Sequence, residues 1–146
     1  MKLTIEESQD YQETEIIIKC QNQQNEDIQK VILAIQSLQS NLICKKEKQY
    51  YQILLSDILY IESIDEKVFV YTHQDIYEDF RKLYELEELL QDKGFIRISK
   101  SCILNLDYLK SVRALFNGKY EATLMNDEKL IINRSYMAAF KKAFGL

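Results

Sequence analysis

The segment Ile58-Leu-Tyr-Ile-Glu-Ser63, followed after three residues by Lys67-Val-Phe-Val-Tyr71, decides the fold. Both pieces are short and rich in β-branched and aromatic residues, which marks strands rather than helices. The polar Ser63-Ile64-Asp65-Glu66 joining them reads as a hairpin loop. Upstream, Asn41–Lys45 and Gln49–Leu55 read as two more strands; downstream, Asp75–Phe80 reads as another. A helix is expected from about Arg81, because Leu83, Leu86, Leu89 and Leu90 share one face and Lys93-Gly94 supplies a stop. Phe95–Ile98 and Cys102–Leu104 are short strands flanking Ser99-Lys100-Ser101. Leu106–Leu109 resembles one turn of helix. Leu109–Phe116, Lys119–Met125 and Lys129–Ile132 form a three-strand run, with turns at Asn117-Gly118 and Asn126-Asp127. Asn117-Gly118 is the strongest two-residue hairpin signal in the chain. A tail helix is expected over Ser135–Phe144, with Met137, Phe140 and Phe144 on one face, Ser135 as its N-cap and Lys141-Lys142 near its end. Residues 42–146 therefore read as one α+β domain that is mostly β.

Residues 1–41 read differently. Leu3–Glu6 and Glu15–Gln21 are strand candidates around a polar loop, SQDYQET. Asn25-Glu26-Asp27 is a helix start, and Ile28, Val31, Ile32, Ile35 and Leu38 form one face of a helix running to about Ser40. The expected extension is a small β-β-α unit.

Composition narrows the function. The chain has 146 residues, 47% hydrophobic and 29% charged, which suits a folded domain. No apolar run approaches the roughly 20 residues of a membrane span. The opening MKLTIEESQD lacks a signal-peptide stretch, so a cytoplasmic protein is expected. Three cysteines without a CxxC fit free thiols in a reducing compartment better than a disulfide framework or zinc site. Three glycines and no proline exclude a P-loop, a dinucleotide fingerprint and a nucleophile elbow. His73 is the only histidine, which excludes most His-based triads. Glu62, Asp65 and Glu66 crowd one turn, but they read as a solvated hairpin tip. No enzyme, metal or cofactor is expected.

The net charge of −4 hides an uneven distribution. Residues 1–44 carry −4, residues 45–92 carry −6, and residues 93–146 carry +6. A nucleic-acid face needs a local positive potential, not a positive total. Two stretches in the basic third suit phosphate and base contact. In Arg97-Ile-Ser-Lys-Ser101, Ser99, Lys100 and Ser101 are presented between two strands. In Asn133-Arg134-Ser135, Arg134 projects at a strand-to-helix junction, where its planar fork suits the paired acceptors of guanine. No helix-turn-helix, zinc finger or basic zipper is visible, so loops and strand ends must do any reading.

Ile58-Leu-Tyr-Ile-Glu-Ser63 with Lys67-Val-Phe-Val-Tyr71 resembles the early strands of the LytTR DNA-binding domain. So do Leu83-Tyr-Glu-Leu-Glu-Glu-Leu-Leu90, then Phe95-Ile-Arg-Ile-Ser-Lys-Ser-Cys-Ile-Leu-Asn105, and finally Ile131-Ile-Asn-Arg-Ser-Tyr136. The resemblance covers roughly residues 42–146. It implies an elongated β scaffold with short flanking helices, whose loops enter successive grooves of double-stranded promoter DNA, commonly at paired direct repeats. By position, Arg134 resembles the family's major-groove arginine and Lys100 its middle-loop contact. The Ser63–Lys67 loop, continuing into Val68, matches the first contact loop. Ser99 stands where a histidine is often found. Ser101, Asn133 and Ser135 flank these positions, and Lys67, Lys100, Lys141 or Lys142 would hold phosphates. The chain is similar to short stand-alone regulators of this family, without a receiver domain. That likeness implies a homodimer on DNA and a small integral-membrane protein as a partner, with the acidic 1–44 region as the contact. The competing reading is a protein-interaction module, or anti-regulator, that has lost DNA binding. Salt-sensitive retention on a DNA column separates the two.

Overall fold

A computed structural model describes residues 2–12, 15–37 and 40–146. They fall into two compact units, Met1–Ala34 and Ile35–Leu146. No helix among the described residues is long and apolar enough to cross a membrane.

The first unit holds most of helix α1, Glu26–Ser37. Asn25 starts it, its side-chain oxygen accepting the Asp27 amide at 2.9 Å, with Glu26 and Asp27 at the positive end of the dipole. The expected tail of this helix at Leu38 lies outside the described residues. So do Glu13 and Thr14 of the polar loop. The two expected strands are not formed: Leu3–Glu6 and Glu15–Cys20 have no strand pairing. Leu3, Ile5, Ile16 and Ile17 are exposed instead. Alternation of apolar residues supplies a strand-like pattern, but an isolated two-stranded unit buries too little to hold itself together. The extension is thus irregular chain leading into a helix, not β-β-α.

The second unit is a β scaffold. Its strands are β1 Asn41–Lys46, β2 Gln49–Leu54, β3 Ile58–Ile64, β4 Lys67–Thr72, β5 Ile76–Asp79, β6 Phe95–Ser99 and β7 Cys102–Asn105, then β8 Leu109–Ala114, β9 Tyr120–Leu124 and β10 Lys129–Ile132. Helix α2, Leu83–Leu89, precedes β6, and α3, Met137–Phe144, ends the unit. The first seven strands form one sheet in the order β2-β1-β5-β4-β3-β7-β6; the last three form another, β10-β9-β8. Every pairing is antiparallel.

Successive side chains on a strand point to opposite faces, so one strand can serve two cores. Ile61 of β3 and Ile103 of β7 join Val68, Val70, Leu42 and Cys44 under Leu83, Leu86 and Leu90. Their neighbours Tyr60, Cys102 and Leu104 face the other way, against Ala122, Leu124 and Ile132 of the small sheet and Met137 and Phe140 of α3. Helix α2 therefore covers one face of the large sheet, and the small sheet with α3 covers the other. This explains the unbroken buried run Ile58–Ile61, since a strand covered on both faces loses its polar alternation. Asn105, 2% exposed, ties two connections together. Its amide donates to the Ile58 carbonyl at 2.7 Å and its oxygen accepts the Asp107 amide at 3.1 Å.

Several boundaries differ from the expectation. β3 runs through Ile64, so the hairpin turn shrinks to Asp65-Glu66, both left-handed at φ 50° and 67°. That is the backbone a two-residue hairpin matching the sheet twist demands. At Asn117-Gly118 the loop has three residues instead of two. The Leu115 amide donates to the Lys119 carbonyl at 2.8 Å and Ala114 pairs with Tyr120, with Gly118 left-handed at φ +78°. Ser135 is not a helix N-cap. It sits inside a 3-10 turn, Arg134–Tyr136, and Tyr136 leads into α3 without a side-chain cap. The turn pairs the Tyr136 amide with the Asn133 carbonyl and the Met137 amide with the Arg134 carbonyl, so the entry to α3 is held by backbone bonds.

A candidate nucleic-acid interface

Sheet register brings the three candidate loops together. In the β3–β7 pair Glu62 lies opposite Cys102, and the Ser63 amide donates to the Ser101 carbonyl at 2.8 Å. The Ser63–Lys67 turn and the Ser99–Ser101 turn are therefore neighbours. The Asn133 amide donates to the Ile98 carbonyl at 2.9 Å, which fastens the Asn133–Ser135 junction beside β6. A depression of about 360 Å³ lies where these segments meet. Glu62, Ser99, Lys100, Ser101, Asn133 and Tyr136 are on its walls.

The middle turn is held from behind. Arg97, on β6, donates from Nε to the Ser99 carbonyl at 2.7 Å and from one terminal nitrogen to the Lys100 carbonyl at 2.5 Å. Its other terminal nitrogen meets Glu87 of α2 at 2.5 Å. One guanidinium fork thus grips both carbonyls of the turn and anchors them to a helix. Ser99 is buried, and its hydroxyl accepts the Ser101 amide at 3.2 Å. With Ser99 turned inward, Lys100 and Ser101 are the exposed residues of this turn. In the sequence Arg97 belongs to the loop stretch, and its gripping role is not legible there. A guanidinium two residues before a tight turn gives a weak signal, visible only once the carbonyls are placed.

The first loop exposes Lys67 and half-buries Ser63, whereas Val68 is 3% exposed and belongs to the core under α2. Glu62 lies beside Tyr71. Burial, and then the negative Glu62, push the Tyr71 phenol up from its ordinary value, so it stays a hydrogen-bond donor. In the sequence Glu62 groups with the hairpin-tip acids. Only Asp65 and Glu66 are at the tip.

Charge pairing sorts the cations. Arg97, Lys110, Arg113 and Lys129 each meet a carboxylate. Among the described residues, no carboxylate lies within ion-pair distance of Lys67, Lys100, Lys119, Arg134, Lys141 or Lys142. Arg134 and Ser135 are exposed and Asn133 is half-buried. Lys141 sits in the last turn of α3, its ammonium 5.5 Å from the Tyr120 ring centre. The surface offers hydroxyls, one guanidinium and several ammonium groups whose charge is not neutralised internally. Phosphate and base-edge acceptors are the partners such groups suit.

Comparison with known proteins places the chain in a family. Residues 48–145 match the LytTr DNA-binding domain model. The chain is 28% identical over 96 residues to the sensory transduction protein LytT of Bacillus cereus, covering 66% of this chain and 39% of that protein. It is 36% identical over 77 residues to the transcriptional regulatory protein LytR of Staphylococcus aureus, covering 53% and 31% respectively. The chain thus spans well under half the length of these curated relatives. A solved LytTr DNA-binding domain from Bacillus cereus superposes with a TM-score of 0.70 at 25% identity, covering 74% of this chain and 99% of that one. The strand-and-loop scaffold and these matches agree: the chain belongs to the LytTR DNA-binding domain family.

Proposed function

We propose that this chain regulates transcription by binding double-stranded promoter DNA through the Ser63–Lys67, Ser99–Ser101 and Asn133–Ser135 segments. One observation carries the reading: three loops from distant parts of the sequence are hydrogen-bonded side by side, and their exposed cations lack carboxylate partners. Arg134 is the base reader, its fork matching guanine O6 and N7 in the major groove. Lys100 reads from the middle turn. Ser63, Ser101, Asn133 and Ser135 hold the backbone, and Lys67 and Lys141 supply sequence-independent phosphate contacts. Ser99 acts from inside the turn, by shaping it. Paired direct repeats would seat two copies. Contact with a second copy or with a small integral-membrane protein would fall to residues 1–41, whose exposed Leu3, Ile5, Ile16 and Ile17 support a protein-binding role.

The test is a binding comparison on DNA selected by the protein from a random-sequence library. Arg134→Ala is expected to lose about 1–3 kcal/mol at the selected site and to accept base changes there. Intact discrimination in that variant would remove Arg134 from the site.

A further inference from the structure

Gly118 lies against the arm of Arg134. Register explains why. The β9–β10 ladder ends with Tyr120 opposite Ile132, and the segment before Tyr120 and the segment after Ile132 leave it at the same end, carrying Gly118 and Arg134 to each other. A Cβ built on Gly118 would stand 3.1 Å from Arg134 Cδ and 3.7 Å from Cγ. The first distance is tighter than ordinary contact, so the arm lies where a side chain at 118 would be. The other two glycines have nothing near enough to be touched by a Cβ. Gly118 also has φ +78°, so its turn already favours glycine or asparagine. Two constraints meet at this position, and only one concerns the backbone.

We propose that Gly118 is a positioning residue for Arg134. By lacking a Cβ it gives the methylenes of the arginine a surface to lie across, and so fixes the direction in which the guanidinium projects. The proposal rests on the reading of Arg134 as the base reader. A bidentate contact depends on direction as well as reach, so a displaced arm loses discrimination before it loses charge. The β8–β9 turn, which contacts no DNA in this proposal, thereby sets specificity at a loop more than ten residues away.

The informative substitution is Gly118→Asn, because asparagine tolerates the left-handed backbone yet carries the Cβ. Binding would be measured on a duplex selected by the wild-type protein from a random library, and on a scrambled duplex of the same composition. Gly118→Asn is expected to weaken the selected duplex by about three- to tenfold, a part of what a lost bidentate contact costs. Affinity for the scrambled duplex and the melting temperature should hold. In an Arg134→Ala background the same substitution should cost nothing more, because the arm it displaces is gone. Equal losses on both duplexes, no loss on either, or the same loss without Arg134 would each overturn the proposal. Discrimination retained by Arg134→Ala alone would instead overturn the functional reading and the proposal with it. A measurement on the unaltered protein needs no variant to fold. Nuclear Overhauser contacts between Gly118 Hα and Arg134 Hδ are expected, and their absence would contradict the proposal.

Discussion

Arg97 and Arg134 are the same residue type with opposite duties. Arg97 spends its fork inward, on the Ser99 and Lys100 carbonyls and on Glu87. Arg134 is exposed and has no carboxylate within ion-pair distance among the described residues. Arg97→Lys preserves the charge but not the two-pronged grip. It is expected to cost about 1–3 kcal/mol in urea unfolding, since hydrogen bonds from a charged donor are the stronger kind. Amide exchange at Ser101 and Cys102 should quicken more than at Leu42, and an unchanged Ser101 would show that the turn holds itself. The cysteines differ in the same way. Burial, reinforced by the Asp79 carboxylate 3.5 Å away, pushes the Cys44 thiol up to about 12. Burial, with Glu62 adding, pushes Cys102 to about 12. Only Cys20 is exposed among the three. Thiol reagent at neutral pH should modify Cys20 and reach the others only on unfolding. Raised folded values mean the unfolded chain ionises first. The stability these thiols contribute is complete below about 9 and is lost as pH rises from there towards about 12. An alkaline unfolding curve that is flat over that window would contradict the assignment.

At the scale of elements, α2 closes one core and the small sheet with α3 closes the other. Leu86, on the sheet-facing side of α2, is fully buried, and Leu86→Ala is expected to cost about 2–5 kcal/mol, the range for an aliphatic core truncation. A loss under 1 kcal/mol would mean α2 is an ornament on the sheet. Most strands of the 40–146 region were legible because short apolar runs alternate with turn residues, and each such run found a partner. The same pattern failed at Leu3–Glu6 and Glu15–Gln21. Periodicity records what a segment could bury, not whether a neighbour exists to bury it. The Asp65-Glu66 and Asn117-Gly118 turns were located correctly, but their lengths depend on register, which residue types alone do not fix. Among the site residues, the exposed positions of Lys100, Ser101, Arg134 and Ser135 could be anticipated from loops between strands. The inward turn of Ser99, the burial of Val68 and the role of Arg97 could not, because each depends on which face of a strand the residue takes.

The whole chain is acidic, yet Lys67, Lys100 and Arg134 in the three loops and Lys141 and Lys142 on α3 have no carboxylate within ion-pair distance among the described residues. Binding should therefore weaken steeply with salt despite the net charge of −4. Lys141→Ala is expected to lower affinity for all duplexes alike and to reduce the slope of log K against log salt by about one. A sequence-dependent loss there would move Lys141 from phosphate contact to base reading. A chain truncated to residues 35–146 should fold and keep its affinity for a duplex carrying a single repeat, since both cores lie in the second unit. The most direct test of the central claim is competition binding of wild type and Arg134→Ala on library-selected duplex, with scrambled duplex as competitor. The account predicts that wild type resists the competitor and the variant does not, with both equally folded. Equal resistance in the two proteins would contradict it.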